Sequence, residues 1–477
     1  MAADSSPRPP GRPPRLASGV RVAALVVALL LAVTRTADPQ APSPRGWLDA
    51  YRADAGRLIR AAQTSDTAYQ RLVELTDTFG ARLSGSDNLA RAVTWAVERM
   101  KADGLDHVRA EPVTVPKWVR GRESAEIVEP SRHPIAMLGL GGSIGTPRSG
   151  VEAEVLSVSS FDELQARSAS ARGRIVLLNV PFTGYSDTVT YRTNSARVAA
   201  QHGAVAVLVR SVGPVGLRTP HTGSLQYWPG QPRIPAAAVS VEDANRISRL
   251  TAGGRTVRVR LYMEAHTEDD VLSANVVGEL RGRERPDEIV LVGAHLDSWD
   301  VGTGASDDAV GCLVTWEAVR LMKTLGLRPR RTVRVVLFTN EENGFGGARA
   351  YADRHAAAAD KHVFALESDS GVFAPPALGF TGTPAARAVI GQIASLLSGL
   401  GFSGVGSAGG GADIEPIAEA GRVPTMAYLG DTAKYFVIHH TDADTVERIS
   451  ADEVSRAVAA IAVMTYVVAE MPERLPR

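Results

Sequence analysis

Five short motifs each contribute a side chain able to bind metal: His295 in VGAHLD, Asp307 in ASDDAVG, Glu342 in TNEEN, Asp369 in LESDS and His440 in IHHTDADT. Two imidazoles and three carboxylates form the donor mixture that suits zinc when positions stay open for water and substrate. Five ligands are also enough to build two ions. Glu341 and Asp297 stand beside them, so the set includes a candidate proton shuttle and a candidate orienting carboxylate. The chemistry these residues predict is hydrolysis at a paired-metal centre.

The elements that must carry these residues can be read around them. EIVLVGAH ends at His295, TVRVVLFTN precedes Glu341 and Glu342, and HVFALES precedes Asp369. Open α/β sheets place their sites at such carboxyl ends. Residues two apart in a strand share a face, so Asp297 is expected to turn its carboxylate toward the His295 imidazole. Helices are expected over 309–325, with Val310, Leu313, Val314, Ala318, Leu321 and Met322 as the buried stripe, and near 347–354. The alternation predicts an α/β fold with a mainly parallel, doubly wound sheet and helices on both faces. The stretch 47–105 reads as helical, with Ser86 as a cap. Between 151 and 262 the runs IVLLNV, AVAVLVR and VRVRLYM, broken by Gly and Pro, predict an inserted β-rich module. We assign it residues 131–268, leave 39–130 and 269–477 to the metal-binding domain, and set 1–38 apart as an N-terminal export segment.

The chain has 477 residues, enough for two or three domains. Positive and negative side chains balance at 52 each, which argues against a nucleic-acid partner and against electrostatic membrane association. Arg8, Arg12, Arg15 and Arg21 precede an apolar run over 22–33, the order of a secretory signal and shorter than the roughly 20 residues of a bilayer span. The expected destination is extracellular or periplasmic, with no stable membrane association after cleavage. Cys312 is the single cysteine, so no intrachain disulfide is possible. It is expected to pack within its helix, and without a G-x-S-x-G elbow no serine or cysteine nucleophile is supported. GVGSAGGGAD lacks the Lys and Ser/Thr of a P-loop and is expected to be a mobile substrate loop. His107, His133, His202, His221, His266, His355 and His362 are read as surface or structural, and His439 stays ambiguous beside His440.

The succession HLD, SDD, NEE, ESD and HHT resembles the co-catalytic di-zinc exopeptidase family of aminopeptidase and glutamate carboxypeptidase type. The resemblance implies two Zn²⁺ per chain: His295 and Asp369 at one, Glu342 and His440 at the other, with Asp307 bridging and Glu341 as general base. His440 is chosen over His439 because the family's ligand precedes Ser/Thr and lies four residues before an acidic residue, here Asp444. It further implies a cis peptide between Asp307 and Asp308, a protease-associated domain as the inserted module, and a homodimer. Asp308, Asp413 and His439 are implied as substrate-facing or supporting residues, although the family often has SDH where this chain has ADI, Ala412 to Ile414. The implied reaction is cleavage of short peptides, unblocked dipeptides foremost. The alternatives are an aminopeptidase on longer peptides, a glutaminyl cyclase-like acyltransferase using one zinc, and a non-catalytic binding protein on the same fold.

Overall fold

Strand–helix alternation builds the larger sheet in a computed structural model that describes residues 46–402 and 404–477. The export segment expected at 1–38 lies outside the described residues. Eight strands run in the order Asp106–Val119, His266–Leu280, Arg331–Phe338, Arg285–His295, His362–Ser368, Thr425–Leu429, Ala377–Thr381 and Val405–Gly406. The four from Arg331–Phe338 to Thr425–Leu429 are mutually parallel, while the first two strands and Ala377–Thr381 pair antiparallel. The sheet is therefore parallel at its centre, with four of its seven pairings parallel, and antiparallel pairings join it at both flanks. Its antiparallel flanks come from segments that the strand–helix alternation did not reach.

Side-chain alternation divides the core. Val290, Val292 and Ala294 face the helices Asp49–Thr64, Val310–Thr324 and Ala451–Glu470, whereas Leu291, Val336 and Phe338 pack with Tyr351 and Ile417 on the other face. Both faces are covered, as a parallel centre requires. Ser86 caps the helix Asp87–Ala102 by accepting the Leu89 N–H, and Leu89, Trp95, Ala96 and Met100 are buried beneath it. Cys312 is buried, and its thiol contacts the His295 carbonyl at 3.0 Å.

A second eight-stranded sheet draws its strands from Glu123 to Met263. IVLLNV, AVAVLVR and VRVRLYM form its strands Ile175–Leu178, Ala206–Arg210 and Arg258–Met263. Helices Phe161–Ala166, Tyr185–Thr193, Ser195–Gln201 and Val241–Ala252 are interleaved with them, so this region is α/β and not simply β-rich. Caps at Ser160 and Ser240 start two of these helices, a local signal that the β-branched composition obscured. Strand Glu123–Glu129 joins this sheet, which therefore begins before residue 131. Trp299, from the motif after His295, is buried in the core of the second sheet, where a side chain at Gly141 would overlap its ring. No helix among the described residues is long and apolar enough to cross a membrane.

Candidate metal centre

The carboxyl ends of the parallel strands converge as the sequence implied. His295 closes Arg285–His295, Asp369 follows His362–Ser368, and Glu341 and Glu342 lie in the turn after Arg331–Phe338. Asp307 and Asp308 lie in a π-type turn, Ala305–Ala309, that leads into the helix Val310–Thr324, and the peptide bond joining them is cis. Gly311 lets that helix start against the strand end, since a side chain there would overlap the Ser368 carbonyl. The two aspartates are thereby brought beside Asp369.

Asp307 is the centre of the cluster. Its Oδ1 is 3.3 Å from His295 Nε2, which is 3.4 Å from Asp369 Oδ1. Its Oδ2 is 3.2 Å from His440 Nε2, which is 3.1 Å from Glu342 Oε2. Charge-assisted hydrogen bonds close to about 2.7–2.9 Å, so these pairs stand wider than such bonds. Two ligands each about 2.0–2.1 Å from one tetrahedral ion would sit roughly 3.3 Å apart, which is the spacing seen. Among the described residues, Asp307 Oδ2 and Asp369 Oδ1 are buried without a hydrogen-bond partner, as expected of atoms aimed at a cation. The residues fit zinc.

Electrostatics agree. Burial, then the Asp307 charge, push the Glu342 carboxyl up to about 7, and the same two causes push Asp444 up to about 7. Burial, then Asp369, push Glu367 up to about 8. Acids this crowded cannot all ionise in the protein alone, and divalent cations reverse that balance.

The supporting contacts differ from expectation at Asp297. His295 Nδ1 donates to the Asp297 backbone carbonyl at 2.9 Å, and the Asp297 carboxylate lies 4.0 Å away. That carboxylate instead accepts the Glu341 and Glu342 N–H groups at 3.2 and 3.3 Å and the Ser84 hydroxyl at 3.1 Å. The strand ends at His295, so the period-two rule no longer governs where residue 297 points. Asp308 is committed to the backbone as well, accepting N–H groups from His295 at 3.3 Å and Gly311 at 3.1 Å.

Both histidines of HHT reach Asp307, His439 Nε2 at 3.4 Å from Oδ2, and their rings stack at 3.5 Å. His440 also meets Glu342, whereas His439 Nδ1 has no partner among the described residues. Asp413 is buried with both carboxylate oxygens unpartnered among the described residues, while its backbone N–H donates to Glu367 at 3.1 Å. The Gly-rich segment leading to it is seated tightly: side chains at Gly409 and Gly411 would overlap Gly379 and Glu367. It lines a cavity of about 730 Å³ with Thr381, Glu415 and Leu429.

Several contacts around the site were not expected from the sequence. Asp444 accepts the N–H groups of Ser306 at 2.7 Å and Asp307 at 3.0 Å, and its spacing from His440 was the available signal. Trp299 N–H donates to Glu342 at 3.1 Å. Buried Arg82 binds the carbonyls of Leu296, Thr303 and Gly304. His221, read as surface or structural, is buried against the His439 carbonyl at 2.8 Å.

The model of peptidase family M28 matches residues 275–465. Carboxypeptidase Q of Homo sapiens is 47% identical over 415 residues, covering 87% of this chain and 88% of that protein. The Xenopus laevis protein of that name is 43% identical, covering 90% and 92%. Among solved structures, a peptidase M28 precursor from Shewanella amazonensis SB2B superposes with a TM-score of 0.86 at 35% identity, covering 90% of this chain and 99% of that one. A zinc aminopeptidase from Bacillus subtilis, at 21% identity and a TM-score of 0.64, shares the fold over 86% of this chain and 98% of its own.

Proposed function

We propose a mechanism from one premise: the chain belongs to peptidase family M28 and is a zinc-dependent exopeptidase. His295 and Asp369 would hold one ion, Glu342 and His440 a second, and Asp307 both. The observation that carries this reading is the spacing of 3.1–3.4 Å through which the five residues meet around Asp307. Zinc bound there would supply Lewis acidity, polarising a peptide carbonyl and bringing the pKa of a water toward about 7.

The protein's own part is proton transfer and positioning. Glu342 is buried among the proposed ligands, and adjacent Glu341 is less deeply buried. Burial and the neighbouring Asp369 drive the Glu341 carboxyl well above the usual carboxylate range, which suits a group that takes a proton and returns it. Glu341 accepts the proton of the attacking water and delivers it to the leaving amine. Asp297 holds the turn of both glutamates, keeping shuttle and ligand in register.

The substrates are unblocked dipeptides. Relatives named carboxypeptidases and a fold neighbour named an aminopeptidase make a substrate with both ends free the reading that suits both. A terminal charge buried in the site and then left unpaired would weaken binding by several kcal/mol, on the order of 3–5. The second sheet is read as a protease-associated domain bordering the cleft, the chain as exported, and the assembly as a homodimer. Rates on free, acetylated and amidated dipeptides and on tetrapeptides test the substrate class. Large losses on capping either end are expected; equal rates across the series would instead establish an open-cleft aminopeptidase. Two zinc ions per chain are expected by metal analysis, and one ion with cyclising activity would favour the acyltransferase.

A further inference from the structure

Four of the proposed ligands lie at strand ends or just before a helix start, but His440 does not. It lies beyond the helix Thr432–Ile438 with φ near 60°, a left-handed backbone uncommon for any residue but glycine. Such a conformation persists where the surroundings over-determine it. The surroundings here come from the second sheet.

The segment Pro220–Gly223 lies across the His439–His440 pair. Thr222 N–H donates to the His440 carbonyl at 2.9 Å, and His221 Nδ1–H donates to the His439 carbonyl at 2.8 Å. In return the Thr222 carbonyl faces His440 Nδ1 at 3.3 Å. Nε2 turns to Asp307 and Glu342, while Nδ1 lies between the Thr222 carbonyl and the Arg192 guanidinium, 3.4 Å away, so the segment and its anchor together set the ring direction.

The segment is itself anchored in the second sheet. His221 N–H donates to Ser211 Oγ at 2.9 Å, which donates to the Val239 carbonyl at 2.8 Å. The Thr222 hydroxyl donates to the Gly139 carbonyl at 2.7 Å, and buried Arg192 donates to the Thr222 carbonyl at 3.2 Å. Gly223, at φ 136°, has no room for a side chain, because a Cβ there would overlap the Arg192 guanidinium.

We propose that His221 is a positioning residue which, with the Thr222 backbone, clamps the His439–His440 pair and so presents His440 to the metal. The inference rests on the assignment of His440 as a zinc ligand. It makes the second sheet part of the metal centre as well as a wall of the cleft.

Zinc affinity is the readout that separates clamping from a general packing role. Competition with a chromophoric chelator is run on the full chain as wild type, His221→Ala and His221→Asn, whose amide nitrogen takes the place of Nδ1. His221→Ala is expected to loosen one ion by about 10–100-fold and leave the other unchanged, with His221→Asn within about threefold of wild type. Unchanged affinity for both ions in His221→Ala overturns the clamp, as does equal loss in His221→Asn. Should His221→Ala not fold, His221→Gln replaces it: its amide reaches too far, so it is expected to loosen the ion that His221→Asn keeps, and equal affinity in the two overturns the clamp. A wild-type chain without zinc removes the proposed function and this inference together, whereas two tight ions in His221→Ala remove this inference alone.

Discussion

The strand-end part of the centre and the His439–His440 arm solve the same positioning problem by different means. His295 is held in register by ladders to Arg331–Phe338 and His362–Ser368, so the backbone that aims it also forms the core. The arm has no ladder; it depends on three hydrogen bonds from a segment 218 residues away in sequence. A ligand built into a sheet shares the stability of the sheet, whereas a ligand on an arm is as stable as its clamp.

The sharpest way to break this comparison is to remove the metal. A strong chelator is expected to abolish activity, with recovery on adding Zn²⁺ or Co²⁺. Hydrogen exchange measured with and without zinc should speed up most over residues 439–445 and least over 289–295. Equal change in the two segments would show that the arm is as firmly built as the strands.

The adjacent glutamates test the division of labour at one strand end. Glu341→Gln should lower kcat by about 10²–10⁴-fold with zinc content unchanged, because a proton shuttle is lost and no ligand is. Glu342→Ala should lose one ion. Near-normal turnover in Glu341→Gln would remove it as the base.

A smaller effect is expected from the carboxylate that positions both glutamates. Asp297→Ala should cost about 10–100-fold in activity, and metal affinity should fall at the ion held by Glu342. A loss confined to the ion held by His295 would restore the first expectation, that the Asp297 carboxylate serves the imidazole.

The smallest effect serves as a control remote from the arm. Burial raises the Glu111 carboxyl, but His355 and Arg109 outweigh it and hold it at about 2 against an ordinary 4.5. A folded-state value below the unfolded one stabilises at pH above 4.5, and that stability is lost as pH falls from 4.5 toward 2. Glu111→Gln should therefore cost about 1–2 kcal/mol near neutral pH, after allowance for solvent screening at its partly exposed partner Arg109, and the difference from wild type should vanish in acid. Denaturant midpoints across pH measure it, with zinc stoichiometry expected to stay at the wild-type value.

The proposed ligands and the parallel centre that carries most of them were legible in the amino-acid sequence. Those ligands adjoin strands whose apolar runs are legible, and strand ends in an open sheet converge for reasons of topology. Sequence also resolved the Ser86 cap and the helix 310–324, where local pattern and tertiary burial agree. What lies past the strand ends took its place only in the folded chain. There the backbone leaves its period, so the Asp297 carboxylate went to the Glu341 and Glu342 amides, and Asp444 was drawn to those of Ser306 and Asp307. Folding also decided that His221 is buried against the His439 carbonyl and that Trp299 fills the core of another sheet, contacts between segments whose separation in sequence leaves no periodic trace. Ladders and helical stripes repeat and can be read; a single contact between distant segments is specified only once the chain has folded.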